Sequence, residues 1–392
     1  MSVSREIYLD HAATTPLDPD VASAMASCAG GDPTYGNPSA NHAAGRRARS
    51  AIEKARGQCA ALINAEPREI VFTSGATEAD NLAVIGGARF RAHRGRHIVT
   101  MASEHKAVLG AADTLEREGF LVTRLAPGSD GTLDPAKLEA ALSADTQLVS
   151  IMAINNETGV RQDVAAIGRL CRERDILFHT DAAQAAGKEP LDVKAMPIDL
   201  LSMTAHKMYG PQGVGALYVS ARHGVGVTPL FFGGAQERRV RPGTLPVAPI
   251  VGFGVAAELA RLRLDQTKTH LSLLRERLWS GIADLPGVTR NGDPDRSFPG
   301  ILNISTAEIE GESLMLALEP LVVGSGAACN AQSGEASAVL RSMGLSDLAA
   351  QGAVRFSFGR GTTMADVECA VSAYRAAVTH LRRLSVPRAG SG

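Results

Sequence analysis

No charge of either sign dominates this sequence: 40 Lys and Arg stand against 41 Asp and Glu, a formal net charge of −1. That balance gives no electrostatic reason for a nucleic-acid or membrane-surface partner. No apolar run reaches the roughly 18–20 residues that span a bilayer. The opening MSVSREIYLDH lacks a basic stretch followed by an apolar core, so no secretion signal is expected. Cysteine is sparse, with five residues at positions 28, 59, 171, 329 and 369. Their odd number and their spacing argue against a disulfide framework or a metal site. A cytoplasmic chain with reduced thiols is expected. There is no internal repeat and no low-complexity tract, and the GxxxxGK[ST] pattern of a nucleotide P-loop is missing.

What is present is ordinary globular material. Hydrophobic residues make up 45% and charged residues 21% of 392 positions, enough for two domains with cores of their own. After an N-terminal strand and turn (IYLDHAATTPLDPDV), a helix starts near Asp18 or Pro19. GDPTYGNPSANHAAG is a loop by its Gly, Pro and Asn content. A helix then runs from Ser39, a candidate N-cap, to about Ile63. Apolar runs follow at EIVFTS, RHIVTMA, FLVTRLA, TQLVSIMAI, ILFHTDAA, DLLSMTA and GALYVS. They alternate with helical stretches Thr77–Arg91, Lys106–Glu118, Pro135–Ser143 and Val164–Arg174. In the last of these Val164, Ile167 and Cys171 share one face, which makes Cys171 a core residue. Continuous apolar strands between helices point to a mostly parallel sheet covered on both faces. In such sheets ligands collect at the carboxyl ends of the strands. A helical stretch over about Pro249–Leu285 bridges to a second, smaller unit.

The residues with chemical potential fall at the expected strand ends. Lys207 sits in LLSMTAHKMYGPQGVGALYV, between two apolar runs and beside small neighbours. It is either a stem lying on the core with its head in water or an amine desolvated for attack on an aldehyde. Thr73–Glu78 is a strand-to-helix turn in which Gly75 permits close backbone approach, and the amides that follow suit a phosphate. Asp181, with Gln184 three positions on, either caps the next helix or pairs with a protonated ring nitrogen. His105 could stack on a ring and shuttle protons, or be structural. Asn156 in NNETG could donate to a ring oxygen or merely order its turn. Cys329 lies in GSGAACNAQSGEAS among small residues without apolar periodicity, the setting of a mobile loop and a candidate nucleophile. Arg355 in VRFSFGR could clamp a carboxylate or form a surface ion pair.

Taken together, YLDHAATTP, FTSGATEADNLA, SEHKAV, NNETG, HTDAAQ, TAHKMYGPQGVGALYV, RPGTLP, GESL, SGAAC and RFSFGR, in this order over residues 7 to 385, resemble the cysteine desulfurases of the NifS/IscS type. These are class V members of the fold-type I enzymes that use pyridoxal 5'-phosphate. The resemblance implies an α/β fold with a mostly parallel seven-stranded sheet in a large domain, residues 16–258. A smaller α+β domain would combine residues 1–15 with 259–392 and carry the cysteine loop. It implies that Lys207 forms the Schiff base, Asp181 pairs with the pyridine nitrogen, Gln184 bonds the ring hydroxyl and His105 stacks on the ring. Gly75, Ala76, Thr77, Thr204 and His206 would hold the phosphate, with Thr244 contributed by the other subunit of a homodimer. Asn156 would position the ring and, with Arg355, receive the carboxylate of L-cysteine. Cys329 would take the sulfur as a persulfide and pass it to an acceptor protein, either a scaffold for iron–sulfur clusters or a relay for nucleic-acid thiolation. Three rivals share features of this reading: a selenocysteine lyase, an ordinary class V aminotransferase, and a catalytically silent sulfur carrier or scaffold. Pro242 and Ala327 depart from the usual hydroxyl residues at their positions.

Overall fold

Seven short runs of largely apolar residues form the central sheet in the computed structural model, which describes residues 6–29, 33–325 and 336–385. The chain enters with β1 (Ile7–Tyr8). The sheet then takes β2 (Ile70–Thr73), β3 (His97–Met101), β4 (Leu121–Leu125), β5 (Thr146–Ser150), β6 (Leu177–Asp181), β7 (Leu200–Thr204) and β8 (Gly215–Val219). All seven apolar runs named from the sequence are strands here. Their spatial order is β2-β8-β7-β6-β5-β3-β4. Neighbours pair in parallel except β8, which is antiparallel to both β2 and β7. The strands are buried throughout except at the edge strand β4 and the last residue of β8, because helices cover both faces. The carboxyl ends of β2, β3, β5, β6 and β7 therefore open on one side of the sheet.

A second sheet is built from the later part of the chain: β9 (Val288–Arg290), β10 (Ile301–Thr306), β12 (Gly324–Ser325) and β13 (Ala353–Ser357), in the order β12-β13-β10-β9 and antiparallel throughout. The N-terminus joins this half, since β1 pairs in parallel with β11 (Leu321–Val322) and Asp10 bridges to Ser357. Among the described residues no helix is long and apolar enough to cross a membrane.

Three boundaries differ from those read off the sequence. The second helix begins at Ala43, and its N-cap is His42, whose Nδ1 accepts from Gly45 N at 3.2 Å. Ser39 is drawn out of that role by a local turn in which its own N–H donates to Asn37 Oδ1. The long stretch near 249–285 is two helices, Val247–Leu262 and Leu264–Ile282, broken at Arg263 (φ −104°, ψ 9°). The helix after β2 contains a π-helical turn, Leu82–Gly86, between Ala76–Asn81 and Gly87–Arg91. Cys171 is fully buried and its thiol is pushed up to about 12 by burial, as fits a core residue.

Candidate active site

The carboxyl ends of the parallel strands meet the start of the chain and β13 around a cleft of about 580 Å³, a size that takes a cofactor. Its walls include Gly75, Ala76, Thr77, His105, Asn156, Asp181, Thr204, His206, Lys207 and Arg355. These ten residues come from five strand ends and from β13. A doubly covered sheet with its ligands at one rim has no other way to gather them.

Each wall has a local cause. After β2 the chain turns through Gly75 (φ +156°, ψ −178°), a conformation that side chains with a Cβ rarely adopt. The first residues of helix Ala76–Asn81, Ala76 and Thr77, then line the cleft. The Thr204 side chain lies across from Gly75 and bonds Val214 O at 3.4 Å. Asp181 closes β6 on the floor, where its Oδ1 accepts from Ala183 N at 2.8 Å. His105 caps helix Lys106–Arg117, its Nδ1 accepting from Ala107 N at 3.2 Å. Burial lowers its pKa, with Lys207 and Lys106 helping and Asp181 opposing. The neutral ring thus carries its proton on Nε2.

Lys207 ends a one-turn 3-10 helix, Ala205–Lys207, that follows β7. That turn is clamped from three sides. Thr15 donates to His206 O at 2.8 Å and accepts from Tyr209 N at 2.7 Å. Tyr209 sits in a left-handed conformation (φ 67°), its hydroxyl accepting from Arg360 N at 2.6 Å. His206 Nδ1 lies 3.1 Å from Thr14 Oγ1, and burial followed by Lys207 and Lys188 depresses its ring to about 4. A strained residue held by such contacts is typical of a site whose geometry must not drift.

Arg355 is not at the surface. It is 1% exposed on β13, where Nη2 pairs with Asp10 Oδ1 at 2.6 Å and Nη1 donates to Asn156 O at 2.8 Å. Its Nε is buried without a partner among the described residues. A Cβ added at Gly324 would lie 2.8 Å from Arg355 Nη2, so the glycine leaves room for the guanidinium. In NNETG it is Asn155 that orders the turn, its Oδ1 accepting from Glu157 N and Thr158 N at 2.9 Å. Asn156 is thereby left facing the cleft.

Two of the described sequence candidates are not part of the cleft wall. Gln184 is buried behind the lining residues, its Nε2 donating to Ala12 O and its Oε1 accepting from Lys188 Nζ, both at 2.7 Å. Thr244 is exposed on the loop before helix Val247–Leu262 and is not part of the cleft wall in this single chain. Cys329 falls outside the described residues. The residues that sequence reasoning missed are Asp10, Thr15 and Tyr209. Their partners are 345, 191 and 151 positions away, so no local pattern marks them.

Comparison with known proteins agrees with this architecture. The model of the aminotransferase class-V family matches residues 7–369. The cysteine desulfurase IscS of Vibrio cholerae is 53% identical over 380 residues, covering 97% of this chain and 94% of its own. The IscS of Pectobacterium atrosepticum is 50% identical with the same coverage. Among solved structures, a NifS-like protein superposes with a TM-score of 0.88 at 35% identity, covering 97% of this chain and all of that one. DndA from Streptomyces lividans gives 0.76 at 40% identity, covering 89% of this chain and 99% of that one.

Proposed function

This chain belongs to the class V aminotransferase family as a cysteine desulfurase dependent on pyridoxal 5'-phosphate, and from that premise we propose how its residues divide the work. The observation that carries the assignment of roles is the shared cleft. Lys207, Asp181 and the helix-start residues Gly75, Ala76 and Thr77 all line it.

The residues present fit the cofactor. Amides at a helix start, beside the Thr77 and Thr204 hydroxyls and the His206 ring, suit a phosphate dianion. Asp181 would hold a proton on the ring nitrogen, His105 would lie against the ring, and Lys207 Nζ would anchor the aldehyde carbon. Bound there, the group supplies an electron sink that makes the Cα proton of an amino acid removable.

The substrate is L-cysteine. Arg355 and Asn156, both on the cleft wall, would receive its carboxylate. Asp10 holds the guanidinium in place from behind. The Lys207 amine, freed when substrate binds, takes the Cα proton and later returns protons to the carbon skeleton. The Cys329 thiolate attacks the substrate sulfur: an S–S bond forms and the Cβ–S bond breaks. Its electron pair stays with the carbon skeleton, which leaves as alanine after protonation. One cysteine and one thiol thus give one alanine and one persulfide on Cys329, whose outer sulfur passes to an acceptor protein. Assembly as a homodimer would bring the partner copy's Thr244-bearing loop to the phosphate end of the cleft. Gln184 would turn from Ala12 to the ring hydroxyl when the cofactor binds. A cytoplasmic location suits the thiol chemistry.

The direct test is Lys207→Ala. Loss of covalent cofactor attachment together with loss of alanine formation is expected. A variant that keeps both would end the assignment of Lys207.

A further inference from the structure

Beneath Asp181 lies a second carboxyl that the reaction as described does not use. Asp80, in helix Ala76–Asn81, is 0% exposed, and neither of its oxygens has a hydrogen-bond partner among the described residues. One oxygen lies in a group with a carboxylate oxygen of Asp181 and a ring nitrogen of His105, all within 4.8 Å of one another. The chain widens into the π-helical turn Leu82–Gly86 one residue after Asn81, a device found at functional sites.

The acids around Asp80 argue against a second negative charge there. On β6 are Asp181 and His179, whose Nε2 is 3.7 Å from Asp80 Oδ1. His179 provides no positive partner: it is wholly buried, burial depresses it to about 3, and it is held between Ser150 Oγ at 2.8 Å and Ser202 Oγ at 3.0 Å. At the start of helix Lys106–Arg117 are His105, also depressed, and Glu104, a third buried acid whose Oε1 accepts from Met152 N at 2.8 Å. Among the described residues the opposite charge beside it is Lys207, beyond β7, the group that must be able to act as a base. Burial, followed by the Asp181 charge, drives the Asp80 carboxyl well above the usual range, with Glu104 adding to the effect and Ser202 and Lys207 opposing it.

Two carboxyls this close cannot both ionise at low cost. Their surroundings decide which one keeps the proton. Asp181 faces the cleft and has an amide donor on Oδ1, whereas Asp80 is wholly buried and neither of its oxygens meets a hydrogen-bond partner at full geometry among the described residues. We propose that Asp80 is a positioning residue for Asp181: it keeps the one proton the pair holds, presents that O–H toward Asp181, and so fixes the negative charge on Asp181 where the cofactor's ring nitrogen binds. This rests on Asp181 being the ring-nitrogen partner.

The test uses holoenzyme reconstituted with pyridoxal phosphate carrying 15N in the ring, read by the nitrogen chemical shift, together with the dissociation constant of the cofactor. Asp80→Asn is neutral, of the same shape and still a donor, so it should match wild type in both readouts near neutral pH. Asp80→Val removes the donor. It should lose the protonated-nitrogen signal and bind cofactor at least tenfold more weakly. Asp80→Asn behaving like Asp80→Val would mean that an ionised Asp80 is required and would overturn the proposal. Asp80→Val matching wild type would overturn it as well. If the valine variant does not fold, the comparison of Asp80→Asn with wild type still decides. Asp181→Asn separates the two claims: an unchanged nitrogen signal there would sink the role of Asp181 itself, whatever Asp80 does.

Discussion

Glu157 follows Asn156 in the chain but turns inward, where it is 9% exposed and accepts from the Ser337 hydroxyl. Burial pushes its carboxyl up to about 7, although Ser337, Arg355 and Lys106 all oppose the rise. The folded chain therefore binds this proton more tightly than the unfolded chain, whose carboxyl titrates near ~4.3. Between those values the native state holds more protons, so stability is greatest below the window and falls as pH rises through it, by at most about 4 kcal/mol. Melting temperatures measured from acid to neutral pH should fall less steeply in Glu157→Gln, which cannot ionise. Identical slopes in the two proteins would contradict this. Asp80 is singled out by geometry instead, as a buried carboxyl close to Asp181. Neither residue stands out in the sequence: Asp80 reads as one more polar helix position, and Glu157 as part of a turn.

Among the elements, the most demanding join is between helix Ala43–Leu62, β2 and the segment Gln236–Arg239. Glu237 accepts from Arg56 Nη1 and Nη2 at 2.8 and 2.7 Å and from Phe72 N at 2.7 Å. Side-chain exposure is 8% for Arg56 and 2% for Glu237. Three consecutive non-glycine residues, Glu237, Arg238 and Arg239, hold positive φ (44°, 57° and 66°). Such backbone costs roughly 1–3 kcal/mol per residue and persists only where its surroundings dictate it. Removing one member of a buried pair leaves the other charge uncompensated, so Glu237→Ala should cost about 3–5 kcal/mol in denaturant unfolding. Replacing Arg56 and Glu237 together by methionine and leucine should recover most of that loss. A single-variant cost below about 1 kcal/mol, the ceiling typical of exposed pairs, would show that the pair is not the clamp. None of this was legible in QERRVR, which reads as a charged loop. Its carboxylate finds Arg56 only across a separation of 181 positions.

At the scale of the whole molecule, the sheet was legible because each strand is an apolar run between amphipathic helices, and burial on both faces writes that pattern directly into composition. The cleft was legible in part for the same reason. Residues at strand ends are the ones a parallel sheet gathers, so Lys207, Asp181, His105 and the Gly75 turn could be named from local context. What long-range folding decides was not. Arg355 looked equally able to sit at the surface, and its burial depends on Asp10 and on the small Gly324 beside it. Ser39 looked like a helix cap until Asn37 claimed its amide. Gln184 pointed toward the ring in sequence terms, yet in this chain its amide is held by Ala12 and Lys188. The central claim joins the cleft to a cysteine 122 positions beyond Lys207 in the chain (329 − 207 = 122). It is tested most directly by measuring alanine released from L-cysteine by wild type and by Cys329→Ala, with bound cofactor followed by its absorbance. The account predicts that the variant keeps its cofactor and still changes absorbance with L-cysteine, but releases no alanine over many turnovers. Alanine release at the wild-type rate from Cys329→Ala would contradict it, because the sulfur would then leave without a protein thiol to receive it.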